Sequence, residues 1–95
     1  MAGKGAYTKG YRSERRVIRD FGRCGYQCMR SAGSHGPFDI IAWNSSALVF
    51  IQVKAGGDLS PAELEILRAI PTPPHSRKLI IRFRDRVAMP DVTEV

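Results

Sequence analysis

Four side chains carry the chemistry that this sequence could perform: Asp39, Gln52, Lys54 and Glu14. Three of them fall in one stretch, PFDIIAWNSSALVFIQVK, from Pro37 to Lys54. It reads as two apolar strands joined by a short polar turn. With the turn centred between Ser45 and Ser46, Asp39 lies directly opposite Gln52, their Cβ atoms roughly 4.5–5.5 Å apart. Lys54, two residues further on, projects to the same face. A slip of one residue would scatter the group. An acid, an amide and an ammonium thus converge at one end of an otherwise apolar hairpin. That is the pattern of a metal site with an adjacent cation. The plainer alternative is a hairpin whose strand ends reach solvent.

The preceding segment has to present the fourth group. From Lys9 to Arg23 the periodicity is helical. Tyr11, Glu14, Val17, Ile18 and Phe21 share one face at spacings of three and four. Arg12, Arg16, Arg19 and Arg23 share another. Glu14 therefore stands on an apolar stripe with no basic residue three or four positions away, so no local ion pair explains it. A carboxylate facing inward normally has a partner, and a metal or another cation would serve.

The remaining elements follow from local signals. Residues 1–8 read as a flexible tail whose Lys4, with Lys9 just beyond it, could reach a phosphate. Gly22 and Gly25 close the helix, and Tyr26–Ala32 alternates as a strand. The Gly33-Ser34-His35-Gly36 loop could bring Ser34 and His35 to a phosphate. Gly56 and Gly57 turn the chain into Ser60-Pro61-Ala62-Glu63, a capping-box helix start. That helix runs to about Ile70 and stops at Pro71. Lys78–Phe83 is a further strand, and Arg84–Val95 reads as either a short edge strand or coil. The order is helix, three strands, helix, strand. The fold class expected is α/β, with a mixed sheet and flanking helices.

Composition narrows the partners. Ninety-five residues suit a single domain, residues 1–95, and no apolar run approaches membrane length. No signal peptide is visible, and Cys24 and Cys28 are read as reduced thiols of a cytoplasmic protein. The net charge of +6 is unevenly placed. Residues 1–56 hold nine Lys or Arg against three acids, whereas residues 57–95 hold six of each. A basic half that also carries the candidate site suits a polyanion, nucleic acid above all.

The constellation resembles the PD-(D/E)XK nuclease superfamily, on Pro37-Phe38-Asp39 and Gln52-Val53-Lys54. Glu14 on the first helix, and Arg30-Ser31-Ala32-Gly33-Ser34 before the hairpin, look like the archaeal-type Holliday junction resolvase branch. The resemblance implies a restriction-endonuclease-like fold and hydrolysis of phosphodiester bonds at branched DNA, with Mg²⁺ as cofactor and Mn²⁺ expected to substitute. Asp39, Gln52, the Val53 carbonyl and Glu14 would hold the ion. Lys54 would orient the attacking water, and Ser34 would assist. Lys9, Arg12, Arg16, Arg19, Arg30, Ser34 and His35 would hold DNA. Symmetric cutting of two strands implies a homodimer, with Leu64, Leu67 and Ile70 as candidate interface. Two other readings compete: a nicking, repair or restriction-like nuclease, and a non-catalytic nucleic-acid-binding module. The family usually has Glu where this chain has Gln52, which puts metal affinity in question.

Overall fold

The computed structural model describes residues 2–31, 36–57 and 59–95, with side chains from Tyr11 onward. Ser34 and His35 lie outside the described residues. Helix α1 (Ala2–Arg23) is followed by β1 (Gln27–Arg30), β2 (Ile40–Trp43) and β3 (Leu48–Ala55). Helix α2 (Pro61–Ala69), β4 (Arg77–Phe83) and β5 (Asp91–Glu94) complete the chain. The five strands form one mixed sheet in chain order, with β3 and β4 parallel and every other pair antiparallel.

The helix α1 starts at Ala2, so the segment read as a flexible tail continues the helix. Once a helix is nucleated, each added residue gains a backbone bond, and Ala2, Lys4, Ala6 and Lys9 favour it. Its far end stops as the glycines predict. Gly25 takes φ +91°, Tyr26 N–H donates to the Phe21 carbonyl at 3.1 Å, and Gly25 N–H donates to the Gly22 carbonyl at 3.1 Å. This is a Schellman motif, completed by an edge-on contact between the Phe21 and Tyr26 rings at 5.1 Å. Helix α1 is thereby folded back over β1, β2 and β3.

The core lies between α1 and one face of the sheet. Val17, Ile40, Ala42, Val49, Ile51, Leu79 and Ile81 are buried there together. Ile40 and Ile51 are fully buried, each contributing about 1.5–3 kcal/mol of hydrophobic stabilisation. Leu79, Ile80 and Ile81 are buried consecutively, as expected of a strand covered on both faces. The second cover is α2. Only Leu67 of α2 is buried, which removes it from the candidate interface; Ile66, at 63% exposure, faces outward.

Helix α2 is held largely by polar contacts. Ser60 caps its start, Oγ accepting from Glu63 N–H at 3.1 Å. Lys78, on the same face of β4 as Ile80, closes its end. The Lys78 ammonium donates to the carbonyls of Leu67, Arg68 and Ile70 at 2.7, 3.0 and 2.6 Å. A cation on the last carbonyls satisfies orphan acceptors and opposes the helix dipole.

The C-terminal segment is an edge strand. Arg77 donates twice to Glu94, at 3.0 and 2.8 Å, and Arg82 donates to Asp91 at 3.1 Å. Strand β1 is shorter than expected, and β4 begins one residue earlier, at Arg77. Among the described residues no helix is long and apolar enough to cross a membrane.

Lys78→Met keeps most of the aliphatic stem and deletes the cation on α2. The expected loss of stability is about 1–2 kcal/mol, read from the midpoint of urea unfolding. An unchanged midpoint would show that the three carbonyls are equally well served by water.

Candidate active site

Strands β2 and β3 pair in the register expected from the sequence: Ile40 with Ile51, Ile41 with Phe50, Ala42 with Val49 and Trp43 with Leu48. The regular ladder ends one step before Asp39. The Asp39 carbonyl accepts from Ser31 N–H at 2.8 Å on the β1 side. Its own N–H donates at 2.8 Å to Ile51 on the β3 side. Ile51 is already the partner of Ile40, so two residues of β2 oppose one of β3, the count of a β-bulge. Asp39 is therefore not paired squarely with Gln52. The bulge turns the carboxylate along the sheet, where Oδ2 accepts from Val53 N–H at 2.8 Å.

This geometry orients the neighbouring backbone. Within a strand, a residue's N–H and C=O point to the same side. The Val53 N–H faces Asp39, so its carbonyl also faces the gap left where β2 ends. Gln52 presents a buried Oε1 that has no hydrogen-bond partner among the described residues. A buried acceptor left unmet costs about 1–3 kcal/mol, and a bound cation would satisfy it. Among the described residues no three His, Cys, Asp or Glu side chains cluster as metal ligands. Any ion here would rest on a mixed set of carboxylate, amide oxygen and backbone carbonyl. Hard cations accept that set.

Glu14 reaches the same end of the sheet from α1. It is not left alone on the inward face: Arg30 of β1 lies 3.3 Å from its Oε1. Arg30 in turn stacks over the Tyr11 ring at 4.9 Å. Burial, and then the negative charge of Asp39, push the Glu14 carboxyl above the ordinary carboxylate range; Arg30 opposes them more weakly. Two acids that repel across a partly desolvated gap form a place for a cation.

Lys54 extends from β3 on the face that Gln52 shares, and its ammonium lies 2.6 Å from Glu63 Oε2 on α2. The Glu63 partnership was concealed by the capping-box pattern. Its backbone N–H does take the Ser60 cap, but its carboxylate crosses to the sheet. No local spacing could reveal a partner nine residues away on a different element.

The basic stripe is divided. Arg12, Arg19 and Arg23 are exposed, as expected. Arg16 is drawn into the body, donating to the Ala88 carbonyl at 2.7 Å and lying over the Phe83 ring at 5.2 Å. Arg15, not singled out by the sequence pattern, joins Tyr11, Arg12, Arg16, Arg19 and Arg30 around one open groove. A second hollow, lined by Met29, Pro37, Phe38, Ile41 and Phe50, flanks the bulge and is apolar.

A family model described as archaeal Holliday junction resolvase (Hjc) matches residues 5–65, most of the chain. The chain belongs to that family. The resemblance carried by Pro37-Phe38-Asp39 and Gln52-Val53-Lys54 is thus borne out. Among solved structures, the chain is similar to Hjc of Archaeoglobus fulgidus, a Holliday junction resolvase from an archaeal hyperthermophile. The two are 26% identical, the match covers 90% of this chain and 72% of the other, and the TM-score is 0.65. No curated protein sequence matches. Every residue from Glu14 to Glu63 falls within the stretch matched to the Hjc family.

The raised Glu14 carboxyl makes a pH prediction. In the unfolded chain it ionises at its ordinary value, and in the folded chain only at higher pH. Its contribution to stability is therefore complete below the ordinary value and is lost as pH rises through the raised one. Without metal, Glu14→Gln should melt higher than wild type at pH 8 and equally at pH 4. Mg²⁺ should raise the melting temperature of wild type more than that of the variant. Identical Mg²⁺ responses at pH 8 would remove Glu14 from the cation site.

Proposed function

We propose that this chain cuts branched DNA with a divalent metal held by Asp39, Gln52 and the Val53 carbonyl, with Glu14 close by. As an archaeal Holliday junction resolvase, it is a structure-selective junction endonuclease. The observation that supports the metal is the buried Gln52 Oε1, unpartnered among the described residues, on the strand opposite the bulge that presents Asp39. An uncharged amide suits a neighbourhood that already contains Asp39 and Glu14, because a third carboxylate would add to their repulsion. Mg²⁺ fits this all-oxygen set and Mn²⁺ would substitute.

The bound ion would lower the pKa of a water and offset charge on the phosphate in the transition state. The protein's own groups have separate tasks. Asp39 is fixed by Val53 N–H, so its free oxygen points into the gap without reorganisation. Lys54 places a positive charge at the same end of the sheet, where it would orient the attacking water and offset developing negative charge. Arg12, Arg15 and Arg19, along one groove, would hold phosphates and fix the duplex arms. Arg30 stands between that groove and Glu14 and would link DNA binding to the acid cluster. Lys9, Ser34 and His35 would add phosphate contacts. Contacts of this kind read shape rather than sequence.

A junction cut on two strands needs two such centres, so the acting form would be a two-fold symmetric homodimer. The protein would work where DNA is, in the cytoplasm.

Asp39→Asn tests the centre without disturbing the bulge, because the amide oxygen can still accept from Val53 N–H. Cleavage of a four-way junction in Mg²⁺ should disappear while junction binding persists. Full Mg²⁺-dependent turnover by this variant would overturn the assignment. Arg12→Ala and Arg19→Ala together should weaken binding to all DNA, and each lost phosphate contact should reduce the log–log salt slope by about 0.9. Arg16 is left intact in that test because it anchors the segment around Ala88. An unchanged slope would place DNA elsewhere.

A further inference from the structure

Lys54 has lost the partner that its own strand would ordinarily supply. In the acid-x-lysine pattern, a carboxylate two residues before the lysine shares its face. Here that position is Gln52, which carries no charge. Among the described residues a carboxylate from another element binds the ammonium: Glu63 Oε2 on α2, at 2.6 Å.

Several features distinguish this contact from a chance surface pair. Glu63 is fixed at its backbone, since its N–H donates to Ser60 Oγ at 3.1 Å in the first turn of α2. The helix is fixed at its other end by Lys78. The Lys54 side chain is only 23% exposed. The Lys54 hydrogen bond is the main influence lowering the Glu63 carboxyl below the ordinary carboxylate range, so the carboxylate is ionised wherever a Mg²⁺ nuclease would work. A lysine ammonium is a point charge on a flexible four-carbon stem. Such a stem is held in place by what its ammonium binds. Bound to a carboxylate that is itself held by a capped helix, the ammonium occupies a restricted position and keeps donors for a water or phosphate.

We propose that Glu63 is the positioning residue for Lys54, delivering from α2 the carboxylate that Gln52 does not provide on β3. This rests on the nuclease reading of the site and deepens it. The acid has been moved from the metal side of the lysine to its far side. The lysine remains oriented while the cation gap keeps an uncharged amide. Glu63 does not touch DNA or the ion in this role; it acts through Lys54 alone.

The test is a charge relocation. Single-turnover cleavage of a four-way junction in Mg²⁺ is measured for wild type, Glu63→Gln, Glu65→Gln and the double variant Gln52→Glu/Glu63→Gln. Junction affinity is measured in EDTA. Glu63→Gln should slow cleavage by about tenfold with affinity unchanged. The double variant should recover most of that loss, because a carboxylate again stands beside Lys54. Glu65→Gln, which removes an exposed acid of the same helix that pairs with Arg68 and not with Lys54, should keep its rate.

A second readout needs no catalysis: the Lys54 ammonium signal in nitrogen-detected NMR of the metal-free protein. It should be ordered in wild type and mobile in Glu63→Gln. If wild type is inert on junctions, the nuclease reading fails, and the NMR comparison still decides whether Glu63 orders Lys54. Equal ammonium mobility in the two proteins overturns the proposal. So does a Glu63→Gln rate within twofold of wild type, a loss shared by Glu65→Gln, or a double variant no faster than the single one.

Discussion

Strand β2 ends too early for β3. Its ladder stops at Ile40, while β3 continues through Gln52, Val53 and Lys54 to Ala55. Beyond Ile51, the backbone groups of β3 that face away from β4 therefore need other partners. The bulge at Asp39 meets part of that need by sending a carboxylate to the Val53 N–H. It leaves the Val53 carbonyl facing an open gap beside an unpartnered amide oxygen. A regular ladder would have satisfied the backbone and left no place for an ion. The site is a consequence of unequal strand lengths as much as of the residue types that line it.

Charge is spread around that gap with little excess. Glu14 faces Arg30, Asp39 accepts from the Val53 N–H, and Lys54 faces Glu63. The family's usual acid at position 52 would add a charge to a region in which Glu14 is already pushed toward its neutral form. Gln52 avoids that repulsion. On the proposed reading the cost would be a weaker hold on a cation, and the carboxylate bound to Lys54 comes from α2. On this view the substitution at one strand position and the acid on α2 are two parts of one arrangement.

Much of this was legible because it is local. Alternating apolar residues fixed the β2–β3 register, Gly25 marked the end of α1, and Ser60-Pro61 marked the start of α2. The order of elements along the chain followed from where the turns and helices fall. What escaped the sequence involved contacts between distant elements. Arg30 against Glu14, Arg16 against Ala88 and Lys54 against Glu63 join residues that no periodicity relates. The bulge was hidden for another reason: Asp39 is in register with Gln52 by counting, and only the directions of its two backbone groups reveal the extra residue. The candidate interface on α2 failed at Leu67, because a nine-residue helix with one buried side chain still needs that side chain for the core.

Helix α2 rests on the sheet through a single buried leucine and two ammonium tethers, Lys54 near its first turn and Lys78 at its last. Such an element is the natural first unit to detach. Local opening of α2 would expose little apolar surface, whereas lifting α1 would expose the whole core, so the two helices belong to different levels of native-state unfolding. The tethers also differ in reach: one ends among peptide carbonyls and the other on an ionisable acid. Acidification would release the Lys54 end first and leave the helix hinged at Lys78.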